Sequence, residues 1–396
     1  MVAGIVGAVT GFASAFVLVL AGLRAVGATP EEAASGLLTL CIAQAIMAVL
    51  LSLRYRIPLS FAWSTPGAAL LIAAKATTHN FGAAAGAFIV CGVLIAITGL
   101  WPALTRAITR IPTPLASALL AGILFPICLA PVEAAVKLPL LALPIVLVWL
   151  ILYGLAPRWA VPGALVVTII VVGITAGTNW LHGSLALPQL SFVTPSFQPL
   201  VIVSLGIPLY LVTMAGQNVP GFAVLKTFGY DDPPARSILV GSGILSAGGA
   251  LFGAHVINLA ALSAAIMAGP DSHPDRSKRW IASLTGGLVY VFLGLAAGLA
   301  ASLVLVTPPL LITTVAGLAM LGAFVAAVSA SLEDRRHLVA AGITFLVVAS
   351  GVVIVGIGSP FWGLLVGGIV MLWLSWHRRR RERKLAAPVL SEPAPE

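Results

Sequence analysis

Apolar runs of about 20 residues recur along almost the whole chain, separated only by short polar gaps, and a helix of that length crosses the hydrocarbon core of a bilayer. Inside lipid every backbone N–H and C=O must find its partner within the protein, so only helices and closed barrels can span it. The runs are continuous and do not alternate polar with apolar, which disfavours a barrel. The expected fold is therefore an all-α polytopic membrane protein, with the lipid bilayer as its solvent. Spans are placed at 2–24, 33–53, 58–76, 82–104, 113–132, 138–156, 160–178, 198–226, 235–252, 254–269, 279–304, 308–330, 337–356 and 358–377, about fourteen in all.

A formal charge of +9 raises the question of nucleic acid, and the positions of the 21 Lys and Arg answer it. On this span count all but Arg24, Lys75 and Lys137 fall on one side, an asymmetry of roughly six to one. The charge is a topology signal that puts both termini in the cytoplasm, and no nucleic-acid partner is implied. The run from Arg378 to Arg381, with Arg383 and Lys384, belongs to the same signal. Cys41, Cys91 and Cys128 all lie inside apolar runs, where a small buried side chain is the natural role. Neither a disulfide framework nor a metal site is expected, and no cofactor. The first apolar stretch lacks a basic leader, so it reads as a retained span and not as a cleaved signal.

Seven spans (1–178) precede a polar linker at 179–197, seven (198–377) follow it, and a basic then polar tail occupies 378–396. An odd number in each half makes the second half enter the membrane from the opposite face. Repeats arranged in this way let a transporter expose one central site to each side in turn. One internal match supports the repeat: "PGAALLIAA" from Pro66 and "NLAALSAAI" from Asn258, both third in their half.

The third span interrupts itself with Ser64, Thr65, Pro66 and Gly67. Proline pushes the residue before it toward extended geometry. The span is thus expected to be extended first and helical second, with Thr65 as N-cap and Pro66 opening the helix. In the tenth span Gly253, Val256 and Ile257 precede Asn258 and a short helix to about Met267. Two such helix starts, entering from opposite faces, would meet near the midplane. Each carries unpaired N–H groups and about half a positive charge, which suits an anion.

The stretches "AWSTPGAALL" at 62–71, "LVTMAGQNVPGFAVLKTFGY" at 211–230, "HPDRSKRW" at 273–280 and "VGIGSPFWGL" at 355–364 resemble the benzoate/proton symporter family (BenE-type) over nearly the whole chain. That family is similar in fold to nucleobase permeases and sulfate-type anion transporters. The resemblance implies a 7+7 inverted repeat, a core domain of spans 1–4 and 8–11, and a gate domain of spans 5–7 and 12–14. It implies import of benzoate or a related aromatic monocarboxylate with protons across a bacterial inner membrane. The alternative is an anion exchanger or uncoupled permease of the same fold; a homodimer is among the assemblies it allows, and an enzyme is not expected. Carried over by position, the substrate site would take Ser64, Thr65, Pro66 and Gly67, then Gln217 and Asn218, then His255, Asn258 and Leu259. Where nucleobase permeases hold carboxylates in the eighth and tenth spans, this chain has Gln217 and His255, which favours an anion.

Residue chemistry agrees. All twelve Asp and Glu fall in expected loops, span ends or the tail, and His255 is the only histidine expected at membrane depth. It is the candidate proton-coupling group, because an ionisable residue inside lipid is costly and rarely idle. Gln217 can donate to a carboxylate while staying neutral, and Pro220 leaves the Gly216 carbonyl without its helical donor. Phe12, Phe61 and Trp63 are candidates to face an aromatic ring.

Overall fold

The computed structural model describes residues 1–101, 112–176, 188–260 and 262–385. Arg106, Arg110, positions 179–187 of the expected linker and 386–396 of the tail lie outside the described residues. Helices α1 (Val2–Ala25) and α2 (Pro30–Tyr55) are followed by strand β1 (Phe61–Trp63) and helix α3 (Thr65–Ala73). Then come α4 (Phe81–Leu100), α5 (Thr113–Lys137), α6 (Pro139–Leu155) and α7 (Ala160–Ala176). The next helix, α8 (Pro199–Thr227), contains two widened π turns, Ile202–Gly206 and Met214–Asn218. After α9 (Ala235–Gly249), strand β2 (Ile257–Leu259) leads to α10 (Leu262–Ala268). The chain ends with α11 (Trp280–Leu295), α12 (Ala297–Val306), α13 (Pro309–Leu332), α14 (Leu338–Ala349) and α15 (Ser359–Leu385).

Among the described residues eight helices are long and apolar enough to cross a membrane. Joining Arg276–Leu295 with Ala297–Val306 across their 53° bend makes a ninth. The bend divides the segment expected as one straight span at 279–304. Three further apolar helices, Pro139–Leu155, Ala160–Thr175 and Leu338–Ala349, are shorter.

Helix packing falls into two groups. α2 lies on α11 and α9, α4 on α9, and α1 on α3 and α11; α5 packs on α13 and α14, α6 on α7, and α14 on α15. Small residues allow the closest approaches: a Cβ on Gly22 would fall 2.6 Å from the Ala68 carbonyl oxygen, so α1 lies directly on the backbone of α3. Gly253 turns the chain into the extended segment before β2 with φ +83, where an L side chain is strained.

The "HPDRSKRW" stretch closes the end of α10. Arg279 donates to the carbonyls of Ala268 and His273, both at 2.8 Å. Asp275 caps the following turn through the Ser277 hydroxyl and N–H, and these bonds hold its carboxyl below the usual carboxylate range.

Candidate functional site

β1 and β2 meet as an antiparallel pair in which Phe61 faces Leu259, Ala62 faces Asn258 and Trp63 faces Ile257. Two more bonds extend the ladder: Ser64 N–H donates to the Val256 carbonyl at 2.8 Å, and Ala260 N–H to the Ser60 carbonyl at 2.9 Å. Extended backbone in an apolar interior needs such a partner for each polar group; the strands supply part of each other's, and on the outer side of β2 the Ile257 N–H donates to the Ser246 hydroxyl at 3.0 Å.

The helix beyond β1 begins one residue earlier than expected. Its N-cap is Ser64, not Thr65: the Ser64 hydroxyl accepts from Gly67 N–H at 3.1 Å and is bonded to the Thr213 hydroxyl at 2.7 Å. Ser wins because its φ, ψ of −71°, 97° are extended while Thr65 is already helical. Pro66 has no N–H, and Ala68 N–H already donates to the Ser64 carbonyl. That leaves the Thr65 N–H and hydroxyl as the donors at this helix start without a partner among the described residues.

Asn258 is also placed differently. It sits inside β2, and the described helix behind it starts at Leu262. The reason is the pairing with Ala62, which holds residues 257–259 extended. Its amide nitrogen donates to the Leu259 carbonyl at 2.9 Å, while its Oδ1 is buried without a partner among the described residues. Across from it, the second π turn of α8 carries Gln217 and Asn218. Asn218 is fully buried and is occupied: its Oδ1 accepts from Leu259 N–H at 2.9 Å and its amide nitrogen lies 3.3 Å from Met214 Sδ. Gln217 is partly exposed and makes no hydrogen bond among the described residues. A widened turn ending two residues before Pro220 swings these side chains out of helical register.

An aromatic wall stands on the other side of β1. Phe12 lies 5.8 Å from Trp63 edge-on and stacks on Phe16 at 5.1 Å; Trp63 lies 6.1 Å from Tyr290. Tyr290, on α11, was not singled out in the sequence, although a tyrosine within an apolar helix is a polar handle at depth. Two other buried polar residues escaped notice: Thr213, the partner of Ser64, and Gln44 on α2, whose amide is buried with no hydrogen-bond partner among the described residues.

His255 is fully buried, with neither ring nitrogen bonded among the described residues. Its ring meets Phe88 of α4 edge-on at 6.5 Å. The structure thus gathers Ser64 to Gly67, Asn218, Asn258 and Leu259 at one junction, with Phe12 behind β1, and it sets His255 against α4. Beside the junction runs a cavity of about 240 Å³ between α5, α8 and α15, lined by Ser117, Leu120, Ala215, Gly216 and Pro220 among others. Gly216 joins it to the helix start, since a Cβ there would lie 3.5 Å from Pro66 Cγ. Apolar walls with a few convergent polar groups are the usual make-up of a small-molecule site.

The family described as benzoate membrane transport protein (BenE) matches residues 1–373. The inner membrane protein YdcO of Escherichia coli (strain K12) is 36% identical over 377 residues, covering 95% of each chain. The benzoate membrane transport protein of Acinetobacter baylyi (strain ATCC 33305 / BD413 / ADP1) is 29% identical over 366 residues, covering 92% of each. Among solved structures, the transmembrane domain of a cyanobacterium bicarbonate transporter, BicA, superposes with a TM-score of 0.58 at 19% identity, over 92% of this chain and 96% of that one. The murine anion transporter Slc26a9 in its inward-facing state gives 0.61 at 13% identity, over 96% and 69%. These two establish the fold. Since the family model spans nearly the whole chain, the chain belongs to the benzoate membrane transport (BenE) family, a family of multi-pass membrane transporters and not of enzymes.

Proposed function

We propose that this protein imports benzoate or a related aromatic monocarboxylate together with protons across the inner membrane by alternating access. The observation that carries the reading is the junction where the Ser64-capped start of α3, strand β2 and the Gln217 turn converge beside an aromatic wall. Unpartnered donors on Thr65 and the Gln217 amide are suited to a carboxylate, and Phe12, Trp63 and Tyr290 to an aryl ring.

Fourteen spans in two inverted halves follow if each strand–helix unit, each of the three shorter apolar helices and the bent pair count as one span each. The antiparallel pairing of β1 with β2 supports inversion, because strands that run in opposite directions lead into α3 and α10 from opposite faces. Core and gate domains correspond to the two packing groups, and the 240 Å³ cavity lies on the seam between them. In this reading His255 takes the coupling proton, so that substrate and proton each raise affinity for the other.

A second reading, exchange or uncoupled anion permeation, is favoured by the position of His255 against Phe88 instead of at the start of α3. Proteoliposomes separate the two. An imposed inward proton gradient should concentrate labelled benzoate in the wild type, and His255→Asn should abolish this while keeping substrate-for-substrate exchange. Uphill uptake by His255→Asn with unaltered pH dependence would remove the coupling role; no gradient response in the wild type would favour exchange.

A further inference from the structure

A second cavity, about 420 Å³, opens at the end of α3 opposite its capped start, between the ends of α1, α3 and α12 with the start of α2 on one side and the start of α13 on the other. Its floor is apolar, with Leu20, Ile72, Val304 and Ile312. Arg24 and Lys75 stand in its wall, both exposed, and neither makes an ion pair or side-chain hydrogen bond among the described residues. They are two of the three cations that the charge count assigns to that side of the membrane. The third, Lys137, is already paired with Glu133 at 3.0 Å. The nearest acids in sequence, Glu31 and Glu32, are not part of the lining, and Glu32 is engaged with the Thr29 N–H at 2.8 Å in the cap of α2.

Two free cations above an apolar floor make a receptor for one kind of ligand: an anion carrying a compact apolar body. A hydrophilic inorganic anion would gain nothing from the floor, and a neutral arene nothing from the charges. We propose that this cavity is a capture site for organic monocarboxylates, placed at the extracytoplasmic mouth of the seam between the two packing groups. There Arg24 and Lys75 hold the carboxylate while the ring rests on Leu20, Ile72 and Ile312. The inference rests on the transport reading above for its direction, from this mouth toward α3. The two cations raise the local concentration of the anion, since a cleft of one sign with low-dielectric walls focuses the field. The site acts on capture and not on the translocation step.

Two measurements test it. In a background with Cys41, Cys91 and Cys128 replaced by alanine, Thr313→Cys places a thiol in the lining. Its rates with an anionic sulfonatoethyl and a cationic trimethylammonioethyl methanethiosulfonate are compared. Adding Arg24→Gln with Lys75→Gln should lower the anionic-to-cationic rate ratio about tenfold, and benzoate, but not benzamide, should slow the reaction only while the cations are present. An unchanged ratio, or equal protection by benzamide, would overturn the site. In proteoliposomes the same neutral pair should raise the KM for benzoate and flatten its salt dependence with the maximal rate kept, and Arg24→Lys with Lys75→Arg should restore both. A KM indifferent to all four substitutions would also overturn it. If the wild type moves no benzoate, the transport reading falls, while the thiol rates still decide the cavity.

Discussion

Ser64 is a single hydroxyl with two structural duties, and each removes a donor or acceptor from the pool a substrate could use. It caps α3 through Gly67 N–H and ties that helix start to α8 through Thr213. Replacing it by alanine should cost about 1 kcal/mol of stability, visible as a lower melting temperature in detergent. It should also raise the KM for benzoate about fivefold if the same energy is lost from binding. Thr65→Val should behave differently: it keeps the cap and the N–H but deletes the free hydroxyl, so it should weaken transport without lowering the melting temperature. Equal melting losses in both variants would mean that Thr65 is structural. The Ser-Thr-Pro-Gly run announced a helix start in the sequence, but which of two adjacent hydroxyl residues caps it was settled by backbone angles that β1 imposes. At His255 the sequence supplied the residue, which is fully buried, while its neighbour, Phe88, came from a helix more than 160 positions away.

At the level of elements, a three-residue strand on each side and a widened helical turn form one assembly. Asn218 is its clasp, since without it the Leu259 N–H is left buried and unbonded. Asn218→Leu should therefore cost about 1–3 kcal/mol and abolish transport, read as poor recovery of folded protein and loss of uptake. Gly67→Ala should disturb the same assembly from the other side, because its Cβ would fall 2.6 Å from Leu209 Cδ1 and 2.8 Å from the Ser64 hydroxyl it must not displace. Transport lost with near-normal expression is the expected result for Gly67→Ala, and unchanged benzoate affinity would mean the cap geometry does not matter. The extended stretch of β1 ahead of α3 was legible from Pro66 and its neighbours. The π turns were not, because α8 is apolar at nearly every position, so the shift of register that a π turn brings leaves no mark in its hydrophobic pattern.

For the whole molecule, the proposed inversion makes a claim about sides. Cysteine replacing Gln189 should be labelled by an impermeant maleimide in intact cells, and cysteine replacing Asp275 only after the membrane is opened. The opposite pattern would reverse the arrangement. Both positions are outside the apolar helices, so the labelling reports orientation and not stability.

Hydrophobic length and the sorting of Lys and Arg are local properties, and from them the sequence alone determined that this is a polytopic helical membrane protein and where nearly every helix runs; the Ser64–Gly67 run added the extended stretch ahead of α3. Four motifs in order were enough to point to the family. The partners across those interruptions were a different matter. That Phe61 meets Leu259, that Asn218 serves Leu259 and is unavailable to a ligand, and that Arg24 and Lys75 share one cavity all depend on residues 41 to 198 positions apart in the chain. Only the folded bundle brings them together. In an apolar interior each buried polar group takes whichever partner packing delivers, and that choice is made by the tertiary structure.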